Sequence, residues 1–395
     1  MKPLENIKIL DLTRVLAGPF CTMLLSELGA EVVKVESPET GDDSRAYGPF
    51  RNNKSMYFVS NNRGKKSISV NLKSEKGKQI IKELVPKFDV IIENFKPGTM
   101  EKLCLGYDEI KQINPKIIYA ASSGFGHTGP DSKKPAYDIL VQALGGMMSI
   151  TGWPQTPPTR VGMSVGDITV SFYTAMGILS ALYQRTITGL GQKVDVSMLD
   201  CQLSILENAV LRYQADNVPP GPIGNRHPTI TPFQAFKAKD DYFVVAAGND
   251  SIFVKLCKAI NCEYLLEDER FKTNSNRTKN LKEIDSILSS VFITKNVSEW
   301  VSIFDAVDVP CSPINTIDKA IENRQIKARN MIVEVDDKDM GKIKVVGNAI
   351  KMSTIEESPT RMPAPEIGEH NDIVFKEMLN YSDEEIEKLR EEGVI

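Results

Sequence analysis

Three consecutive segments decide the fold: Ile7-Lys8-Ile9-Leu10-Asp11-Leu12, then Gly18 to Leu28 closed by Gly29, then Glu31-Val32-Val33-Lys34-Val35-Glu36. The first and third are short runs rich in β-branched and aliphatic residues, and the middle one carries a helical pattern that a glycine stops. Strand, helix and strand in so short a span make a parallel crossover unit. Working outward, Ser67-Ile68-Ser69-Val70-Asn71-Leu72 reads as another strand, and a helix follows from about Ser74 to Leu84 with Ser74 as its N-cap. Asp89 to Phe95, with the run Val90-Ile91-Ile92, and Lys116 to Ala121 add two more strands. The expected class is α/β, with a mainly parallel sheet wrapped by helices.

From Tyr137 the pattern turns helical. Tyr137 to Ser149, Asp167 to Ile187 and Asp200 to Tyr213 are predicted helices, with a short strand at Val194-Asp195-Val196. The turn-rich Val218-Pro219-Pro220-Gly221-Pro222-Ile223-Gly224 is the candidate domain boundary. A smaller α/β segment follows, with a strand at Tyr242 to Ala246 and helices at Ser251 to Ile260, Lys282 to Phe292 and Ser298 to Ala306. Beyond Asn323 the chain reads as a return segment, with a strand at Lys342 to Val346 and a final helix from Ser382 to Glu391.

Composition narrows the function classes. In 395 residues, 48 Lys and Arg stand against 52 Asp and Glu, a net charge of −4 that argues against a nucleic-acid partner. Cys21, Cys104, Cys201, Cys257, Cys262 and Cys311 are scattered with no CxxC pair, which reads as buried thiols in a reducing, cytoplasmic setting. The two longest uncharged stretches, Ile139 to Thr159 and Ile168 to Gln184, read as buried helical regions rather than membrane spans. With only His127, His227 and His370 present, and none near another, no metal site is expected.

Two motifs tempt and fail. Gly124-Phe125-Gly126-His127-Thr128-Gly129 follows a strand and matches GxGxxG, but Pro130 to Pro135 follow where a dinucleotide fingerprint must open a helix. Gly64-Lys65-Lys66-Ser67 lacks the first glycine of a P-loop and has Lys66 in place of its Ser/Thr. Asp167 is different in kind. It follows Gly166 at the start of an apolar helix, where unpaired N–H groups and the helix dipole would hold a carboxylate ionised. Taken alone, it reads as an ordinary N-cap.

Eight segments in order change that reading. Asp11 to Pro19 with Leu28 to Glu36, Glu93-Asn94-Phe95-Lys96-Pro97-Gly98 with Leu105-Gly106-Tyr107, Pro135-Ala136-Tyr137-Asp138 and Gly166-Asp167 resemble the signatures of the class III coenzyme A transferases, the CaiB/BaiF or formyl-CoA transferase family. Gly224-Asn225-Arg226-His227-Pro228, Ala247-Gly248-Asn249-Asp250, Pro310 to Ile314 and Pro365 to His370 extend the resemblance over essentially the whole chain. The resemblance implies a large Rossmann-like domain built from both chain ends, a smaller α/β domain, and two subunits interlocked as linked rings. Here those would be 1–200 with 325–395, and 225–322, joined by a linker at 201–224.

It also implies a catalytic aspartate at Asp167, which alternates between an acyl anhydride and a CoA thioester. Coenzyme A and acyl-CoA enter as substrates, and no tightly bound cofactor is expected. CoA contacts carry over onto Val15, Ala17, Asn71, Lys73, Asn94, Phe95, Lys102, Tyr137 and Gly248. The loop 246–249 matches a glycine-rich lid but is poorer in glycine. Leu16 replaces a family glutamine and Ser37 a family arginine, which counts against oxalate or formate and removes one CoA contact. The sequence is most similar to the succinyl-CoA:dicarboxylate group. A distal carboxylate needs a cation, and Arg45, Arg160 and Arg226 are the candidates. The rivals are an α-methylacyl-CoA racemase, whose catalytic histidine aligns with Tyr137, and a CoA-binding protein without catalysis. A tyrosine, ordinarily titrating near pH 10, is a poor neutral-pH base.

Overall fold

The computed structural model describes residues 2–395. The chain divides into two compact units: Met1–Met147 with Arg160–Asn217 and Arg324–Ile395, and Met148–Thr159 with Val218–Asn323.

The first unit is built on six parallel strands: β1 (Lys8–Asp11), β2 (Glu31–Glu36), β3 (Lys66–Ser69), β4 (Val90–Glu93), β5 (Ile118–Ser123) and β6 (Lys193–Ser197), in the order β3-β2-β1-β4-β5-β6. Alternate residues serve opposite faces, as the two-residue period of a strand requires. Leu10, Val33, Ile68, Ile91 and Tyr119 pack with Ile80, Leu84, Phe375 and Ile386 on one side. Ile9, Val32, Val90, Ile118 and Ala120 pack with Cys21, Leu25, Ala175 and Ile178 on the other. The helices of this unit are α1 (Ala17–Glu27), α2 (Glu75–Leu84), α3 (Asp138–Leu144), α4 (Val165–Thr188), α5 (Met198–Ser204), α6 (Asn371–Leu379) and α7 (Asp383–Glu391), among others. Of these, α1, α2, α4, α6 and α7 supply these faces, while α3 and α5 pack Val141, Met198 and Cys201 against Ala17 and Val170. Ser74 caps α2 by accepting from the Gly77 N–H at 2.9 Å, and Ser382 with Glu385 forms a capping box on α7. Both chain ends join this unit: the Ser69 N–H donates to Asn371 Oδ1 and the Asn71 N–H to the Val394 carbonyl.

The structure corrects several boundaries. The helix expected at 137–149 is interrupted at Gly145-Gly146 and restarts as Met147–Ile150. The expected 200–213 helix is α5 plus a separate Ala209–Asp216. Residues 201–217, expected as linker, are therefore largely helical and belong to the first unit, while 148–159 belongs to the second. Ile332–Asp337 forms a strand that was not expected, pairing antiparallel with Gly341–Val346 and parallel with Thr360–Arg361.

Helix α4 runs 24 residues and is long and apolar enough, by length and composition, to cross a membrane. The core helix of a soluble protein passes the same test, and Val170, Thr174, Ala175 and Ile178 are buried within the unit. In the second unit, β7 (Phe233–Lys237), β8 (Tyr242–Ala246) and β9 (Cys311–Pro313) form an antiparallel sheet over a core of Phe236, Phe243, Phe253, Phe292, Trp300 and Phe304.

Candidate active site

Open parallel sheets bind ligands beyond the C-terminal strand ends, where neighbouring crossovers diverge. Here that point lies between β1 and β4, since the strands after β1 extend to one side and those after β4 to the other. The loops leaving these strands are stitched across the gap: the Arg14 N–H donates to Asn94 Oδ1 at 2.9 Å, and Asn94 Nδ2 donates to the Arg14 carbonyl at 2.8 Å.

Two clefts open at this edge. The first, of about 350 Å³, is lined by Val15, Ala17, Asn94, Phe95, Tyr137 and Asp167 among others. The second, of about 280 Å³, is lined by Asn71, Lys73 and Ser37, and shares Phe95 and Arg14 with the first. Eight of the ten sequence-predicted site residues thus line one or both of two clefts with common walls. Lys102 does not: it is exposed at the end of a short helix, Thr99–Lys102, and lines neither cleft. Gly248 lies in the second unit, where a Cβ would come 2.2 Å from Ile230 Cγ2. The loop around it is pinned within that unit: the Ala247 N–H donates to the Pro232 carbonyl, Asn249 caps the following helix, and Asp250 pairs with the buried Arg277.

Asp167 is the third residue of α4, in its first turn, and not the N-cap, which is Ser164. The dipole was expected to keep it ionised. Instead, burial and the neighbouring Asp138 carboxylate push it up to about 7. Asp138 belongs to the motif Pro135 to Asp138, but nothing in the sequence marks it as a site residue. It begins α3, accepts from the Gly166 N–H at 2.8 Å and from Gln142 Nε2 at 2.7 Å, and faces Arg160 Nη2 at 3.8 Å. Gln142 in turn accepts from the Val161 N–H. One carboxylate therefore ties the starts of α3 and α4 together, one residue from Asp167. Gly166 must be small for this: a Cβ there would lie 2.8 Å from Val141 Cγ2 and 3.1 Å from Asp138 Oδ1.

A second buried acid closes the end of β4. Glu93 is 2% exposed, accepts from the Phe95 N–H at 2.8 Å, and lies 3.5 Å from His127 Nε2. Burial pushes its carboxyl up to about 8. The only sequence signal was the motif Glu93 to Gly98; nothing in spacing shows that His127 meets it.

Of the three candidate arginines, Arg45 is committed elsewhere. It pairs bidentately with Glu36 and lies over the Phe58 ring at 3.7 Å. Arg226 lies in the second unit. Arg160 lies beside Asp138 with its side chain 44% exposed.

Comparison with known proteins identifies the family. The family model described as CoA-transferase family III matches residues 4–371. The chain is 41% identical over 396 residues to the succinyl-CoA:glutarate CoA-transferase of Mus musculus, covering 100% of this chain and 91% of the mouse protein. It is also 41% identical over 376 residues to the acetyl-CoA:oxalate CoA-transferase of Acetobacter aceti, covering 95% of each. A CaiB/BaiF family crystal structure from Brucella suis superposes with a TM-score of 0.84 at 37% identity, over 95% of this chain and 99% of that one. Matched over residues 4–371 by the family model and over its full length by relatives at 41% identity, the chain belongs to the class III CoA-transferases, the CaiB/BaiF family.

Proposed function

We propose that the protein moves CoA from succinyl-CoA to a dicarboxylic acid acceptor, with Asp167 as the covalent relay. The observation that carries this reading is a desolvated carboxylate with no hydrogen bond or ion pair to its side chain among the described residues, set in the wall of the first cleft. A carboxylate stripped of donors is a better nucleophile than a solvated one.

Asp167 attacks the thioester carbonyl, which releases CoA thiolate and leaves an acyl–aspartyl anhydride. The thiolate attacks the aspartyl carbonyl, the donor acid leaves, and Asp167 carries CoA as a thioester. The acceptor carboxylate attacks that thioester, giving a new anhydride and free thiolate. The thiolate then takes the acceptor's acyl group, and Asp167 is regenerated. Every bond broken is replaced by one of similar energy, so no nucleotide is consumed. The first cleft suits the pantetheine end and the acyl group. The second, with Lys73 at its edge and Phe95 between the two, suits the adenosine phosphates. Arg160 is the cation assigned to the distal carboxylate.

The succinyl-CoA reading is supported by the named activity of the mouse relative, and by that of an Agrobacterium fabrum succinate–glutarate CoA-transferase at 37% identity. The Acetobacter relative keeps acetyl-CoA with oxalate as the second reading. The test is a transfer assay of succinyl-CoA with glutarate against acetyl-CoA with oxalate. The first pair is expected to be favoured by at least about tenfold in kcat/KM, and Arg160→Ala to erase that preference. Equal rates with both pairs contradict the assignment. The racemase reading is not favoured: Tyr137, where the family's histidine would stand, is 75% exposed at the N-cap of α3.

We further read the protein as a cytoplasmic homodimer of the interlocked type. Phe172, Met176, Leu179, Tyr183 and Ile187 form an exposed apolar stripe at helical spacing along α4. A second copy of the chain is the occupant we assign to it.

A further inference from the structure

The loop that leaves β1 at the switch point holds one residue in a conformation its side chain disfavours. Val15 has φ 68°, the left-handed region, which a β-branched residue enters only when its surroundings compel it. Its neighbours Leu16 and Ala17 line the cleft that contains Asp167, as Val15 does itself.

The compulsion can be traced bond by bond. The Thr13 N–H donates to Asp11 Oδ1 at 2.9 Å, and the Thr13 carbonyl accepts from Lys34 Nζ at 2.7 Å. Arg14 is held at both its N–H and its carbonyl by Asn94. The Val15 N–H donates to Asp42, 3.1 Å from Oδ1 and 3.3 Å from Oδ2. Asp42 itself has no freedom. Its side chain is fully buried, its Oδ2 lies 2.7 Å from the equally buried Lys34 Nζ, and its Oδ1 accepts from both the N–H and the hydroxyl of Ser44. Its own N–H donates to Glu36 Oε2, the carboxylate that also holds Arg45. Burial alone would raise the Asp42 carboxyl, but the Lys34 ammonium and the Ser44 donors outweigh it and hold it at about 2.

Nothing in the chemistry of Asp167 uses this buried pair. A plain structural pair would hold strands together; this one reaches from β2 across to a strained peptide in the cleft wall. We propose that Asp42, fixed by Lys34, is a positioning residue for CoA transfer: it clamps Val15 in the left-handed conformation and so sets the direction of the backbone at 15–17 that faces Asp167. The activity readout rests on the CoA-transferase reading; the conformational readout does not.

The test is a double-mutant cycle between Asp42→Asn and Val15→Gly. Asp42→Asn keeps the size of the side chain and one oxygen acceptor, and removes the charge that orders it. Glycine occupies the left-handed region without a clamp. Hydrogen exchange of a peptide spanning 12–16 is expected to quicken about tenfold or more in Asp42→Asn, and to return most of the way in the double variant. The kcat/KM for CoA transfer is expected to fall about tenfold to a hundredfold in Asp42→Asn, with the double variant losing clearly less relative to Val15→Gly alone. If Asp42→Asn fails to fold, Lys34→Met serves as the second variant and is expected to show the same coupling to position 15. Unchanged exchange at 12–16 in either variant overturns the clamp. Altered exchange with unchanged transfer rates overturns its role in the reaction. A wild type that transfers no CoA removes the function proposed above, and leaves the exchange coupling to decide the clamp.

Discussion

Asp167 and Asp138 lie in one cleft wall in different surroundings. Asp138 is satisfied by the Gly166 N–H and Gln142, whereas Asp167 has neither donor nor cation and is pushed up to about 7. Its ionised fraction should therefore grow with pH through neutrality, and the first half-reaction should climb along an acid limb centred near pH 7. Asp138→Asn removes a like charge, so the limb should move to lower pH, though not the whole way, since burial is the larger cause. A pH profile of kcat/KM for the acyl-CoA checks both statements, and a limb unmoved in the variant contradicts the coupling. Glu93 gives a stability counterpart. Its carboxyl is raised to about 8, so the folded state retains a proton that the unfolded chain releases near pH 4–5. The stability linked to it is fully present below that lower value and is lost as pH rises through 8. Denaturant midpoints of wild type and Glu93→Gln should diverge across this window, with the variant relatively more stable at alkaline pH. Parallel curves would place the Glu93 pKa in the ordinary range.

At the scale of elements, the site depends on how closely α3 and α4 begin. Gly166→Ala would drive a methyl against Val141 and Asp138. Overpacking of this kind costs about 1–3 kcal/mol, and here it should also displace the Asp138 contact beside Asp167. A loss of transfer activity greater than the loss in denaturation midpoint is expected; a fully active, equally stable variant contradicts the close-approach argument. Much of this element layer was legible beforehand. The strands at 7–12, 31–36, 67–72 and 89–95 announce themselves as short segments rich in β-branched and aliphatic residues, the last through the unbroken Val90-Ile91-Ile92. The Ser74 cap was readable from its hydroxyl just before the helix; Ser382, read as the first residue of the final helix, is its N-cap. Long-range features were not. Ile332–Asp337 alternates Val333 and Val335 with charged residues, a short signal that only its hairpin partner Gly341–Val346 makes into a strand. Asp138 stood inside a recognised motif, but its tie to Gly166 spans 28 residues of sequence. Glu93 and His127 meet only because β4 and β5 are neighbours. The expected ionised Asp167 failed because the helix dipole was weighed without the burial around it.

At the scale of the whole molecule, the exposed stripe on α4 asks for a partner. Phe172, Met176, Tyr183 and Ile187 are between 48% and 73% exposed, and the proposed dimer would cover them. Light scattering in detergent-free buffer should give twice the 43.9 kDa chain mass. Charge at Met176 and Tyr183 (Met176→Glu with Tyr183→Glu) should reduce assembly. A monodisperse monomer contradicts the dimer. The central claim is chemical, and mass spectrometry of the peptide bearing Asp167 after incubation with succinyl-CoA tests it most directly. A CoA adduct on Asp167 that hydroxylamine removes, and that is absent from Asp167→Asn together with at least about a thousandfold of the transfer rate, is the expected result. An Asp167→Asn variant that turns over like wild type, or a wild type that transfers CoA while that peptide stays unmodified, would contradict it.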